Sequence, residues 1–239
     1  MSCSYLLITC EHGGNRIPLE YSDLFRSSKA LLETHRGWDP GALMMARDLA
    51  RELTAPLVVS TVSRLLIDLN RSIGHKDLYS EATRAAPAGL RQGIVKRYYL
   101  PYRTRAEGLV RAAVADGRRV IHISSHSFTP ELHGEVRNAD IGLLYDPVRP
   151  GEADLAKRWQ AAFSANAPAL KVRRNYPYAG KADGLTNFFR QCFALDAYIG
   201  IELEINQKHV GEGRRAGRRW TELRGAVISA LQIALNDIN

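Results

Sequence analysis

Cysteine is scarce in this chain of 239 residues, which contains only Cys3, Cys10 and Cys192. An odd number of cysteines without C-x-x-C spacing builds neither a disulfide framework nor a thiolate zinc site. We therefore predict reduced and mostly buried thiols. The chain also lacks any apolar run near the roughly 18 residues that span a bilayer, and its first residues lack the pattern of a secretory signal. These absences predict a cytoplasmic protein with no membrane partner.

Lysine is rare as well, with 7 Lys against 26 Arg in a chain of net charge +8. A basic chain is one sign of a nucleic-acid-binding domain without catalysis, and such a domain is the alternative to an enzyme. However, the basic residues are spread along the chain, and the densest cluster, residues 208–224, contains two glutamates and a single aromatic residue. Arginine also recognises carboxylates through paired guanidinium donors. We therefore expect a small carboxylate-bearing partner and no nucleic acid.

Two common catalytic motifs are missing. No G-x-S-x-G sequence is present, and the adjacent pair Ser125-His126 gives no nucleophile with its base, because neighbouring residues of a strand point to opposite faces. No G-x-G-x-x-G or phosphate-binding loop follows the first apolar segment. The chain is therefore predicted to be neither a serine hydrolase nor a nucleotide-dependent enzyme.

Segments with the patterns of strands and helices alternate along the whole chain. This alternation predicts one α/β domain over residues 1–239, with a mainly parallel or mixed central sheet flanked by helices. A helix is expected after Asp39, which suits the N-cap, and Pro40, which suits the first helical position. The predicted strands cover residues 5–9, 57–60, 65–67, 120–125, 141–145 and 199–205. Further helices are predicted over residues 90–116, 152–166, 187–193 and 221–236.

Polar residues follow several of the predicted strands. In α/β sheets, ligands bind at the carboxyl ends of the strands. His12 and His126 are placed there, and a carboxylate such as Asp39 would complete the two-nitrogen, one-oxygen set that catalytic zinc prefers. Near such a metal, Arg71, with Asn70 beside it and Arg64 nearby, is suited to hold a substrate carboxylate.

Glu202 and Glu204 are predicted on one face of an otherwise apolar strand, because side chains alternate with period two. Buried carboxylates pair with a cation, orient a ligand or act as a general base. Glu204, nearer the carboxyl end, is our candidate for the catalytic base. We expect Glu202, the second catalytic candidate, to lie deeper and to hold an arginine or lysine.

Six short motifs follow one another over nearly the whole chain. They are Glu11-His12-Gly13-Gly14-Asn15-x-Ile17-Pro18, Trp38-Asp39-Pro40-Gly41-Ala42, Ser63-Arg64-x-x-Ile67-Asp68-Leu69-Asn70-Arg71, Ser125-His126-Ser127-Phe128, Asn175-x-Pro177-Tyr178-x-Gly180 and Leu203-Glu204-Ile205-Asn206-Gln207. Together and in this order they resemble the motifs of the N-formylglutamate amidohydrolase family. The resemblance implies an α/β fold similar to the zinc carboxypeptidases and metal-dependent hydrolysis of a small N-acyl amino acid, with N-formyl-L-glutamate the leading candidate.

The resemblance also implies roles for individual residues. Zinc carboxypeptidases carry His-x-x-Glu, but the corresponding position here is Asn15, so Asp39 takes the place of that ligand beside His12 and His126. Asn70-Arg71 looks like the carboxylate-binding pair of those enzymes, and Glu204 like their catalytic glutamate. Additional substrate-binding candidates are Arg64, Asn175 and Lys181. We expect one Zn²⁺ per chain and a monomer or homodimer; the alternative activity is that of an amidase or peptidase on another N-acyl amino acid or a cell-wall peptide.

Overall fold

Eight strands and eight α-helices are present in the computed structural model, which describes residues 4–211 and 214–236. The strands are β1 (Tyr5–Cys10), β2 (Leu57–Val59), β3 (Val120–Phe128), β4 (Glu131–Leu132), β5 (Glu135–Val136), β6 (Ile141–Leu144), β7 (Val172–Arg174) and β8 (Tyr198–Asn206). The helices are α1 (Lys29–Leu32), α2 (Ala42–Glu52), α3 (Glu81–Arg84), α4 (Ala88–Ile94), α5 (Leu100–Ala115), α6 (Pro150–Asn166), α7 (Leu185–Cys192) and α8 (Arg214–Asn236). Two 3-10 segments cover Leu19–Ser28 and Gln207–His209.

Six of the strands form one mixed sheet in the order β2-β1-β3-β8-β6-β7. The first four strands in this order run parallel, whereas β6 is antiparallel to β8 and β7 follows the direction of β6. The predicted α/β fold with a mixed central sheet is therefore confirmed. Because β1, β3 and β8 are parallel neighbours, their carboxyl ends meet at one edge, where we expected the site.

Hydrophobic cores cover both faces of the sheet. Helices α2, α6 and α8 pack on one face, and α5 and α7 contribute to the core on the other. All nine residues of β3 are buried, as are eight of the nine in β8. Period-two alternation places Ile121 and Ile123 in the first core, while the even-numbered polar residues of β3 point to the second face. One face of the two central strands is therefore apolar, whereas the other carries polar groups beside a second hydrophobic core.

Three local predictions are wrong. Residues 65–67 form a turn rather than a strand, because a short apolar run also suits a buried loop. Asp39 does not cap α2, which begins after Gly41 in the left-handed conformation (φ 84°). The last helix begins at Arg214 rather than residue 221.

The helix predicted over residues 90–116 is present as α4 and α5, joined through a π-type turn (Val95–Tyr99) that precedes Pro101.

The cysteines only partly follow the prediction. Cys10 is buried and unpaired, Cys192 is unpaired but exposed, and Cys3 lies outside the described residues. Among the helices of the described segments, none combines the length and the hydropathy required to cross a bilayer. The predicted single domain over residues 1–239 and the monomeric or dimeric state stay predictions.

Candidate active site

A polar cavity of about 250 Å³ opens at the edge where β1, β3 and β8 end. It brings together eight of the ten residues predicted for the site, and Asn175 and Lys181 are not among its lining residues. The lining residues are His12, Asp39, Arg64, Asn70, Arg71, His126, Ser127, Tyr178, Ala179, Ala182, Asp183, Glu202 and Glu204.

Two histidine rings converge on one carboxylate in this cavity. Nδ1 of His126 lies 2.9 Å from Oδ2 of Asp39, and Nδ1 of His12 lies 3.4 Å from the same oxygen. The ring centroids of the two histidines are 5.1 Å apart. All three side chains are buried. The residues predicted as metal ligands therefore direct one atom each toward a common point.

Backbone contacts hold these three residues together. The amide of Asp39 donates to the carbonyl of His12, and the left-handed Gly41 turns the chain into α2. After His12, the chain runs closely beside residues 60–63; a Cβ atom on Gly13 would lie 2.8 Å from the carbonyl oxygen of Ser60. Only glycine permits this approach, and the close packing determines where the His12 ring lies.

Each histidine has a second carboxylate on the opposite side of its ring. Nε2 of His12 lies 2.7 Å from Oδ1 of Asp68, and Nε2 of His126 lies 3.1 Å from Oε2 of Glu11. An ionised carboxylate only accepts hydrogen bonds, so a proton on each Nε2 is donated to the carboxylate behind the ring. Glu11 and Asp68 are functional-site residues that were not predicted from the sequence. The signal that points to them is the usual pairing of a metal-binding histidine with a carboxylate partner.

Hydrogen bonds stabilise the charged forms of this cluster. Burial would lower the pKa of His126, but its hydrogen bonds to Asp39 and Glu11 outweigh burial and raise that pKa well above the ordinary value. Burial would conversely raise the pKa of Asp39 and of Glu11, yet the contacts of Asp39 with His12 and His126, and those of Glu11 with His126 and Ser124, lower both. The cluster therefore stabilises a positive charge between carboxylates. A metal ion could supply this charge instead of the proton on Nδ1, which it would displace.

The donor set fits a zinc ion. Two imidazole nitrogens and one carboxylate oxygen, each able to supply one ligand atom, lie within 4.8 Å of one another in His12, Asp39 and His126. Two ligands of a tetrahedral zinc, each at 2.0–2.2 Å, are about 3.4 Å apart. The 2.9 and 3.4 Å contacts to Asp39 are close to that spacing. These three residues could thus hold the ion and leave a fourth position open.

Glu204 lies beside this group on β8, paired in register with His126 of β3. Its side chain is buried, and its Oε2 atom has no hydrogen-bond partner in the described part of the chain. Burial raises the pKa of Glu204 to about 8, with the charges of Asp39 and Glu202 adding to the rise and His126 opposing it. A carboxyl group with such a pKa can accept and return a proton near neutral pH.

Glu202 differs from our prediction. It is half-buried, whereas Glu204 is buried, so Glu202 does not lie deeper. Its Oε1 accepts a hydrogen bond of 2.7 Å from the hydroxyl of Thr186. No lysine or arginine with a described side chain forms an ion pair with it, which contradicts the expected basic partner. Glu202 still faces the cavity.

The two arginines of the cavity have different surroundings. Arg64 contacts Asp68 at 2.7 Å and Asp39 at 3.3 Å, so its charge is already matched by two carboxylates. Arg71 donates through Nη1 to the carbonyl of Asp183, and its buried Nε has no partner among the described residues. Arg71 forms no ion pair with a carboxylate among the described residues, so its charge is available to a ligand. A substrate-binding role for either arginine stays a prediction.

The remaining substrate-binding candidates are placed in three ways. Asn70 lines the cavity and accepts a hydrogen bond from the amide of Leu185. Asn175 accepts from the amides of Tyr145 and Gly180 and so shapes the loop before α7. Lys181 is exposed and borders a neighbouring cavity. Contact of Asn175 and Lys181 with a substrate stays a prediction that this geometry does not favour.

A mixed α/β sheet with a cavity of histidines, carboxylates and an unpaired arginine at its carboxyl edge has the arrangement of an enzyme rather than of a binding module. The chain matches the sequence profile of the N-formylglutamate amidohydrolase family over residues 4–210. It belongs to that family, whose name describes hydrolysis of an amide bond.

Solved structures agree with this assignment of the fold. Gene product Atu2144 from Agrobacterium tumefaciens aligns with a TM-score of 0.83 and 29% identity, covering 99% of this chain and 92% of its own. N-formylglutamate amidohydrolase from Ralstonia eutropha JMP134 aligns with a TM-score of 0.68 and 17% identity, covering 99% and 96%. A metallo-carboxypeptidase from Burkholderia cenocepacia is much less similar, with a TM-score of 0.41 and 13% identity over 99% of this chain and 58% of its own. No curated protein matches the chain.

Proposed function

We propose that this protein is a zinc-dependent amidohydrolase that cleaves the amide C–N bond of a small N-acyl amino acid. The observation that supports this best is the convergence of both Nδ1 atoms on Asp39, with a carboxylate behind each ring, beside the unpaired Arg71. N-formyl-L-glutamate is the leading candidate substrate, because the family and the Ralstonia eutropha protein carry its name.

In this proposal His12, Asp39 and His126 hold one Zn²⁺, which would act as a Lewis acid toward the amide carbonyl. Asp68 and Glu11 keep a proton on each Nε2, so both Nδ1 atoms would be free to bind the ion. Arg71 binds the carboxylate of the amino acid through its guanidinium group, and Asn70 lies beside it.

Glu204 acts as the general base and then as the acid. It takes a proton from the attacking water as the water oxygen bonds to the carbonyl carbon. The C–N bond then breaks, and Glu204 passes the proton to the leaving nitrogen. The products are a carboxylate, formate for an N-formyl substrate, and a free amino acid.

The test combines metal content with an assay. Metal-stripped protein is titrated with Zn²⁺, and release of the amino acid is measured from N-formyl and N-acetyl amino acids. We expect one zinc per chain and hydrolysis that depends on it, with both lost in Asp39→Asn. The exposed substitution Asp23→Asn is the matched control. Folded protein that binds no zinc and hydrolyses none of these amides would sink the proposal, and it would then favour a non-enzymatic role.

A further inference from the structure

The cavity has too few free cations for a substrate with two carboxylates. Among the residues that line it in the described chain, the arginines are Arg64 and Arg71, and lysine is absent. Arg64 is already paired with Asp39 and Asp68. Arg71 donates to a backbone carbonyl but forms no ion pair with a carboxylate among the described residues. One carboxylate of a ligand can therefore be matched with a guanidinium group here, and a second one cannot.

Glu202 supplies the opposite charge on the same cavity wall. Thr186 donates to its Oε1 atom, and no basic side chain in the described segments neutralises it. Along β8, Glu202 and Glu204 point to the same face, about 7 Å apart at two residues of strand rise. This distance is comparable to the length of an amino acid, so a substrate whose amide lies at Glu204 can reach Glu202.

Gly184 packs closely against Glu202 and Asn70, where a larger residue would be crowded. A Cβ atom there would lie 3.0 Å from Oε1 of Glu202 and 3.0 Å from Oδ1 of Asn70. The side chains of Asn70 and Glu202 therefore approach the same small space from two sides. Since Asn70 precedes Arg71 in the chain, the carboxylate of Glu202 lies close to the segment that we propose to bind the substrate carboxylate.

We propose that Glu202 is a specificity-determining residue that binds a cationic or hydrogen-bond-donating group on the substrate side chain and disfavours a second carboxylate. This inference rests on the proposed function, in which Arg71 binds the carboxylate of an N-acyl amino acid. An unpaired carboxylate in a half-buried wall repels an anionic group and attracts an ammonium or guanidinium group. The chain would then hydrolyse an N-acyl amino acid, as in the proposed function, but would prefer one other than N-formyl-L-glutamate, the candidate that the family name supplies.

Three substrates of similar size test the proposal with zinc-loaded protein: the Nα-formyl derivatives of L-ornithine, L-glutamine and L-glutamate. Their side chains end in a cation, a neutral amide and an anion. We expect kcat/KM to decrease in that order, with at least a 10-fold difference between the ornithine and glutamate derivatives. A preference for the glutamate derivative would overturn the proposal.

Glu202→Gln separates recognition from a general effect on the site. We expect the ratio of kcat/KM between the ornithine and glutamate derivatives to fall 10- to 100-fold. Thr186→Val should reduce the same ratio less, because the carboxylate loses a hydrogen bond but keeps its charge. Glu222→Gln, on the exposed side of α8, is the charge control and should leave the ratio unchanged. An equal loss for all three substrates in Glu202→Gln would instead assign the residue to orienting Arg71 and overturn the proposal.

Binding without chemistry distinguishes failure of this inference from failure of the proposed function. Valerate, 5-aminovalerate and glutarate share a carboxylate and a five-carbon chain but differ at the far end. Calorimetry should rank 5-aminovalerate above valerate and glutarate below it, with the ranking compressed in Glu202→Gln. If no formyl amino acid is hydrolysed, the proposed function fails while this ranking still decides the role of Glu202. Tighter binding of glutarate than of 5-aminovalerate would reject that role.

Discussion

At the scale of single residues, Arg71 combines a buried, unpartnered Nε with a place in the cavity wall. Arg71→Lys keeps the positive charge but loses the planar pair of donors that matches a carboxylate. We expect KM to rise and kcat/KM to fall by roughly 10- to 100-fold, on the order of 1.4–3 kcal/mol. Steady-state kinetics on the best N-acyl amino acid measure this, with the exposed Arg97→Lys as control. Unchanged kinetics in Arg71→Ala would return the residue to a structural role.

Substitution of Glu204, also at the scale of single residues, is expected to affect turnover and not metal binding. Glu204→Gln preserves the shape of the side chain but removes the group that accepts a proton. We expect zinc to stay bound while kcat falls by roughly 10²- to 10⁴-fold. Zinc content and turnover, measured on the same preparation, check this. Loss of zinc together with activity would show that Glu204 is a ligand, and full turnover would exclude it as the base.

At the scale of elements, the pairing of β3 with β8 places a neutral histidine below the site. His122 is bonded to Thr9 at 2.8 Å and to Tyr198 at 2.7 Å, and burial lowers its pKa to about 4, with Arg190 and His126 adding to the shift and Glu11 opposing it. The folded state therefore binds fewer protons than the unfolded state, in which the pKa is about 6.5. The stability that His122 contributes is fully present above pH 6.5 and is lost as the pH falls toward 4.

We expect His122 to lower the free energy of unfolding by about 3 kcal/mol as the pH falls from 6.5 to 4, because each pKa unit corresponds to about 1.36 kcal/mol. Urea denaturation of His122→Asn and of the unsubstituted protein between pH 4 and 7 measures the difference in slope. The variant should depend less steeply on pH, whereas His133→Asn, at an exposed position with positive φ, should follow the unsubstituted protein. Parallel curves for His122→Asn and the unsubstituted protein would contradict the assignment.

At the scale of the whole molecule, a bound metal would join the turn after β1, the end of β3 and the turn before α2, three segments far apart in the chain. Because the ligands come together only in the folded state, zinc at 100 times its Kd should stabilise the fold by about 2.7 kcal/mol. For a chain of this size we expect Tm to rise by about 5–10 °C. Calorimetry with added zinc and then with a chelator measures the shift. Asp39→Asn should show none, and an equal shift in that variant would place the metal elsewhere.

Much of the site was predictable because strand ends and side-chain alternation are local properties. An apolar run that stops at a polar residue predicted the positions of His12 and His126, and period two predicted that Glu202 and Glu204 share a face. Short segments were less predictable. Residues 65–67 have an apolar pattern that suits a turn beneath a core as well as a strand, and only their long-range contacts decide between the two.

The sequence by itself therefore determined the alternation of strands and helices, the mixed α/β class and the polar groups at the carboxyl edge of the sheet. Only the tertiary structure decided which carboxylates face which rings. Asp68 reaches His12 across 56 positions of the chain, and Asp39 is available to both histidines because Gly41 rather than Asp39 begins the helix. The same contacts engage Arg64 and leave Arg71 and Glu202 open. Such pairings depend on distances between segments remote in sequence, which local patterns do not encode.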